Sequence, residues 1–307
     1  MNTLLPGFKN HNNSFNMLLT RVITALVLAP LIIWAVVSVS ENTFSIIWAL
    51  VIALAAWEWS KLSGLQSLVG QILYVAAVLV SVIPFWYWTD IIANIANYYE
   101  NSDLLEISLV IDWFGTPAVV FWFMASVLLK NNEKKLLKSR PSVKTKLAVG
   151  WLMLITAWLF LIRLRIYHGY EFVLFLLLLI WAADVSAFFS GRTFGKAKLS
   201  PLISPGKTMA GMYGALVAGL VMAVAIVYFK NFKATIKIDF ILLSLITVHI
   251  SIYGDLAISL AKRWKGVKDS GNILPGHGGI LDRIDSLIAA IPVFYTGVML
   301  IHIGMLK

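Results

Sequence analysis

The chain has no cysteine among its 307 residues. Disulfides, thiolate metal sites and cysteine nucleophiles are therefore excluded. Charge is also scarce: Asp, Glu, Lys and Arg make up 13% of the sequence, against about 25% in an ordinary soluble domain. Acidic residues are the rarer sign, 15 against 25 Lys and Arg, which leaves a formal net charge of +10. Apolar residues fill the rest: 60% are hydrophobic, and mean hydropathy is +0.84. No soluble core consumes that much apolar sequence, so the expected fold class is an all-α polytopic integral membrane protein. In such a chain a basic excess reads as loop orientation and attraction to anionic lipid headgroups. No nucleic-acid-binding motif accompanies the charge, which argues against nucleic acid as a partner.

Nine apolar runs can be drawn, near 22–40, 43–60, 66–89, 107–129, 147–162, 172–190, 209–229, 240–258 and 287–306. The first is too long for the apolar stretch of a signal peptide and right for a span of roughly 20 residues, so it reads as an uncleaved first helix. With the N-terminus on the cytoplasmic side, 19 Lys and Arg fall in cytoplasmic segments. Arg163, Arg165, Lys230, Lys233, Lys237 and Lys307, 6 in all, fall on the other side. That asymmetry orients the chain, although Arg163 and Arg165 fit it least well. The expected organisation is a single transmembrane domain over 1–307, with N-terminal helices over 1–170 and a portion over 180–290 in which the polar segments concentrate.

Polar residues concentrate in three segments, all cytoplasmic on this topology: Asp184 to Gly211, Tyr253 to Arg263, and the glycine-rich turn with the Asp-Arg-Ile-Asp that follows it. Asp255, Ser259 and Lys262 are spaced i, i+4 and i+7, so on a helix they share one face. Asp282 and Asp285 are likewise i, i+3. Before them Gly271, Pro275, Gly276, Gly278 and Gly279 make a turn whose backbone N–H groups can approach an anion closely. Carboxylates beside cations in a glycine-lined pocket suit a magnesium–nucleotide complex, because Mg²⁺ takes one or two carboxylates plus phosphate oxygens. Lys207, Lys262, Arg263, Lys268 and Arg283 are the candidate phosphate holders. Asp184 lies in the apolar stretch WAADVSAFF, where an ionisable residue is a functional candidate. Plainer readings exist for each. Single cations orient loops, His277 is an ordinary loop residue, and Asp282 and Asp285 pair with Arg283 and Lys268. Glu58 in WEW reads as a packing carboxylate among aromatic anchors.

The stretch SLAKRWKGVKDSGNILPGHGGILDRIDS, Ser259 to Ser286, closely resembles the signature of phosphatidate cytidylyltransferases, the CDP-diacylglycerol synthases. Ser259, Lys262, Arg263, Lys268, Asp269, Gly271, Pro275, His277, Gly278, Gly279, Asp282, Arg283 and Asp285 stand in the family's positions. Upstream, Ser204, Pro205, Lys207 and Thr208 match its Ser-Pro-x-Lys-Thr. The resemblance is strong over about 180–290. It implies cytidylyl transfer from CTP to phosphatidate held in the bilayer, with Mg²⁺ as cofactor and room for a second metal ion. It also implies a bacterial inner-membrane location and allows a homodimer. On this resemblance Asp255 and Asp282 hold the metal, with Asp285 and Asp184 in support. Lys262, Arg263, Lys268 and Arg283 act on phosphates, and Ser204, Lys207, Thr208, Ser259, His277, Gly278 and Gly279 bind substrate. Three positions depart from the pattern. Ala261 replaces a larger apolar residue, Val185-Ser186 replaces a small residue followed by Gly, and Ile258 replaces a Glu. The alternatives are a CTP-dependent transferase or kinase acting on another lipid, a transporter using the buried Asp residues as ion relays, and an inactive relative.

Overall fold

The computed structural model describes residues 26–99, 113, 115–230, 232–273 and 278–305. Along the chain these form α1 (Leu26–Ser38), α2 (Glu41–Ser63), α3 (Leu68–Tyr98), α4 (Gly115–Asn131), α5 (Glu133–Lys138), α6 (Val143–His168) and α7 (Tyr170–Phe194). A short hairpin follows, β1 (Lys198–Ser200) and β2 (Ser204–Thr208), and then α8 (Met209–Phe229), α9 (Ala234–Lys265) and α10 (Leu281–Met305). Helix starts follow from sequence: the hydroxyls of Ser40, Ser67, Ser142 and Thr208 accept hydrogen bonds from the N–H groups of Thr43, Gly70, Thr145 and Gly211, satisfying donors that the first turn leaves unpaired.

Seven helices, α2, α3, α6, α7, α8, α9 and α10, are long and apolar enough to cross a bilayer. The apolar runs at 22–40 and 107–129 correspond to α1 and α4, which are shorter; both runs begin outside the described residues. The bundle is all-α, as the composition requires. The hairpin interrupts it at a stretch too polar and too short for any apolar periodicity to signal.

The bundle is organised around α6. Every residue from Met153 to Arg165 is buried, as expected of a helix surrounded on all sides; α2, α3, α7 and α10 pack against it. One apolar core runs from Val36 of α1 to Val298 of α10. Arg163 and Arg165 lie inside this core rather than in a loop. Arg165 donates to the carbonyls of Val36 and Val39 and stands 4.6 Å over the Phe44 ring. It thus supplies a cation at the C-terminal end of α1, where the helix dipole favours one. Arg163 donates from Nε to Tyr295 Oη at 3.3 Å and lies 4.7 Å over Tyr167. Their burial explains why they fit the loop-charge pattern poorly.

Hydrogen bonds gather the cation-rich connections at one end of the bundle. Trp59 Nε1 at the end of α2 donates to the Lys146 carbonyl at the start of α6 (2.8 Å). Glu133 Oε1 on α5 accepts from Ser200 Oγ (2.6 Å) and from the N–H groups of Leu202 and Ile203 (2.7 Å each), which fixes the hairpin turn. Trp264 Nε1 on α9 donates to the Leu136 carbonyl of α5 (2.9 Å). Arg263 Nε donates to the Ile203 carbonyl in the hairpin (2.9 Å).

Candidate active site

The site forms where α7, the hairpin, α9 and α10 meet at that end. Helices α9 and α10 approach closely at Gly254. A Cβ there would sit 2.6 Å from the Ala289 Cβ and 2.9 Å from the Asp285 carbonyl, so only glycine lets α10 come this near. The approach brings Asp285 of α10 beside Asp255, the next residue of α9. The two carboxylates act on each other electrostatically, and Asp184 of α7 acts on Asp255 as well.

Lys207, on β2, reaches into this group. Its Nζ lies 2.8 Å from Asp255 Oδ2 and donates to the Ile252 carbonyl at 3.0 Å. Ser259, one turn along α9, donates to Asp255 Oδ1 at 3.2 Å. The expected shared face of Asp255, Ser259 and Lys262 is therefore present, with Lys207 added from the hairpin. Among the described residues Asp184 and Asp285 form no ion pair, and Asp184 is exposed.

Asp282 belongs to a second group. Its Oδ1 is 2.7 Å from Lys262 Nζ. Its Oδ2 accepts from Ser270 N (2.8 Å), Ser270 Oγ (2.9 Å) and Gly279 N (3.1 Å). Asp282 thus joins the two ends of the glycine-rich turn and presents them to Lys262. Glu58, at the end of α2, takes part in the same network. Its Oε2 accepts from Ser270 Oγ (2.9 Å) and Leu281 N (2.8 Å), and its Oε1 from Ile280 N (3.0 Å). Sequence reasoning leaves Glu58 out of the site. The one signal available was a carboxylate inside an apolar run, which alone does not say what it meets.

The remaining candidates are placed as follows. Arg263 is committed to the hairpin carbonyl of Ile203. Lys268 and Arg283 are exposed, and the charge of Arg283 acts on Asp184. Ser204 opens β2, paired with Ser200. Thr208 is buried and caps α8 through its hydroxyl. Gly278 and Gly279 lie at the end of the turn, whereas His277 and Pro275 fall outside the described residues. Ile258 is fully buried in the main apolar core, so it packs the bundle and does not line the polar site.

Among the described residues, no three His, Cys, Asp or Glu side chains converge closely enough to hold a metal ion unaided. The donor set does suit a cation that arrives with phosphates. Of the three carboxylates Asp184, Asp255 and Asp285, only Asp255 contacts an ammonium among the described residues, that of Lys207, so the other two retain oxygens to offer a cation. The oxygens of Asp282 are already engaged by an ammonium and backbone donors and fit a metal less well.

The family model described as the cytidylyltransferase family matches residues 19–301. The chain belongs to the cytidylyltransferase family. It is 37% identical over 290 residues to a phosphatidate cytidylyltransferase of Haemophilus influenzae, covering 91% of this chain and 97% of that one. It is 35% identical over 279 residues to the Pseudomonas aeruginosa protein of the same name, covering 91% and 96%. A Bacillus subtilis phosphatidate cytidylyltransferase is 44% identical over 131 residues, 42% of this chain and 47% of its own. In this cytidylyltransferase each ion pair of the site joins two elements: Lys207 of β2 with Asp255 of α9, and Lys262 of α9 with Asp282 of α10.

Proposed function

We propose that the chain transfers the cytidylyl group of CTP to phosphatidate, giving CDP-diacylglycerol and pyrophosphate. The observation that carries this reading is the meeting of the Ser-Pro-x-Lys-Thr hairpin with the signature helix, Lys207 on Asp255 at 2.8 Å. Relatives named for this activity that align over 91% of the chain support it. An oxygen of the lipid phosphate attacks the α-phosphorus of CTP. The bond from that phosphorus to the β-phosphate oxygen breaks, and pyrophosphate leaves with the electron pair. No covalent intermediate with the protein is required, so catalysis rests on positioning and on stabilising charge. Lys207 and Lys262 hold phosphate oxygens, exchanging part of their carboxylate contact for the substrate. Ser204 and Ser259 add neutral donors, and the exposed Lys268 and Arg283 draw the nucleotide in.

Asp255 and Asp285, with Asp184 beside them, would hold Mg²⁺. When bound, that ion would neutralise the triphosphate and the leaving pyrophosphate. Asp282 shapes the turn. The site faces the cytoplasm, where CTP is, and the chain is integral to a bacterial inner membrane. The split of 19 cations against 6 supports this, and removing the core residues Arg163 and Arg165 from the smaller group sharpens it. Counting α1 and α4 as spans gives nine crossings.

The test is synthesis from purified protein in mixed micelles of detergent and phosphatidate, with labelled CTP and Mg²⁺. CDP-lipid and pyrophosphate are expected in equal amounts, and Asp255→Ala is expected to lower the rate at least 100-fold. A wild type that makes CDP-lipid only from another acceptor, or from none, overturns the activity. Full rate in Asp255→Ala overturns the metal assignment. Because the chain lacks cysteine, Ser139→Cys gives one thiol for orientation. Labelling by an impermeant maleimide in intact cells would place that end outside.

A further inference from the structure

We infer that Glu58, 212 residues before Ser270 in the chain, is a positioning residue that sets the glycine-rich turn for the nucleotide. This rests on the activity proposed above. Glu58 is 1% exposed, and among the described residues the hydrogen bonds it accepts come from neutral donors. Ser270 lies at one foot of the turn, and Ile280 and Leu281 at the other, where α10 begins. One carboxylate from α2 thus ties both feet together. Its charge rests on the N-terminal end of α10, where the helix dipole favours an anion.

The space for it is built by glycine. A Cβ on Gly271 or on Gly279 would collide with the Glu58 carboxylate. These two glycines therefore serve this contact as well as any approach of backbone to phosphate. Ser270 then passes the position on. Its hydroxyl lies 2.9 Å from both Glu58 Oε2 and Asp282 Oδ2, yet it carries a single hydrogen and cannot donate fully to both at once. Asp282 keeps the Ser270 and Gly279 N–H groups as its own donors and holds Lys262 at 2.7 Å. The chain of contact runs from the N-terminal helices through Glu58, Ser270 and Asp282 to a lysine that faces phosphate. Disturbing Glu58 should therefore weaken nucleotide handling and leave the lipid side alone.

The experiment is steady-state CDP-lipid synthesis by full-length Glu58→Gln, Glu58→Asp and Gly271→Ala, with CTP and phosphatidate varied separately, together with hydrogen exchange at Ile280 and Leu281. The Gln amide nitrogen cannot accept, so one donor loses its partner. Losing one buried acceptor predicts a KM for CTP raised about tenfold or more, with KM for phosphatidate within about twofold. Glu58→Asp, which keeps the charge, should recover part of that loss. Exchange at Ile280 and Leu281 should quicken in Glu58→Gln. Gly271→Ala pushes on the same carboxylate from the turn, and it carries the test if Glu58→Gln does not fold. Unchanged KM for CTP, or activity lost only in proportion to the folded fraction, overturns the proposal. If wild type makes no CDP-lipid, the activity reading fails; the exchange measurement still judges the clamp, and unchanged exchange in Glu58→Gln would reject it.

Discussion

The Lys262–Asp282 pair allows the sharpest test of how this end of the molecule is held. The two atoms are 2.7 Å apart, and the side chains are 13% and 6% exposed, so solvent screens them little. In Asp282→Asn the amide has one accepting oxygen and one donating nitrogen. Turned one way, the NH₂ faces the Lys262 ammonium; turned the other, it faces the Ser270 and Gly279 N–H groups. Neither rotamer satisfies all partners, and Lys262 is left as a nearly buried charge. Removing one member of such a pair costs about 3–5 kcal/mol. Lys262→Met should cost less, about 1–2 kcal/mol, because Asp282 keeps its donors from Ser270 and Gly279. The double variant removes both charges, so its cost should fall short of the sum by about 2 kcal/mol. Thermal unfolding in detergent reads this coupling, and CDP-lipid synthesis is run alongside. Activity should remain low in the double variant even as stability returns, because the ammonium that meets phosphate is gone. Single-variant costs that add within about 0.5 kcal/mol would refute the reasoning: the pair would then be a screened surface contact and not the clasp of the turn.

Three further outcomes follow from the same structure. Ile258→Glu puts a carboxylate at a fully buried core position and should cost several kcal/mol, seen as lost expression and a lower unfolding midpoint; a faster enzyme, or one that binds Mg²⁺ more tightly, would show that position 258 reaches the site after all. Glu133→Ala leaves Ser200, Leu202 and Ile203 without their shared acceptor and should cost about 2 kcal/mol, mostly local to the hairpin; a raised KM for CTP through misplaced Lys207 is the kinetic readout, and an unchanged value would detach the hairpin from nucleotide binding. Arg165→Leu removes the cation that caps α1 from the far end of α6, so the unfolding midpoint should fall while both KM values stay at wild type.

What was legible in the sequence divides along physical lines. Long apolar runs are a property of the chain alone, because the bilayer demands internally satisfied backbone whatever the tertiary packing; the seven long helices therefore fall on seven of the runs, although α3, α6 and α9 extend beyond them. Helical spacing along one element is equally local, and Asp255, Ser259 and Lys262 do share a face. Contacts between distant segments carry no comparable signal. Nothing in the spacing of Lys207 indicates that it meets Asp255, and nothing near Trp57-Glu58-Trp59 points to a turn more than two hundred residues away. The hairpin was missed because three and five residues of polar sequence are too short to show a period. Ile258, where the resemblance has a Glu, meets a related limit: α9 is buried on most sides at that level, so helical spacing alone does not say whether a position meets the core or the site.

The same division bears on the two signature aspartates, of which the resemblance makes Asp282 a metal holder and Asp285 its support. Asp282 and Asp285 differ by less than one helical turn, yet Asp282 turns back to the Ser270 and Gly279 N–H groups, while Asp285 is carried toward Asp255 by the close approach at Gly254. A carboxylate already surrounded by donors has little left to offer a metal, whereas one beside other carboxylates gains most from a cation. A cation should therefore separate the two variants kinetically. Asp285→Asn should raise the Mg²⁺ concentration for half-maximal rate about tenfold, and Asp282→Asn should lower the rate at every Mg²⁺ concentration without shifting that midpoint. The reverse pattern would move the metal to the turn and leave Asp285 a packing residue.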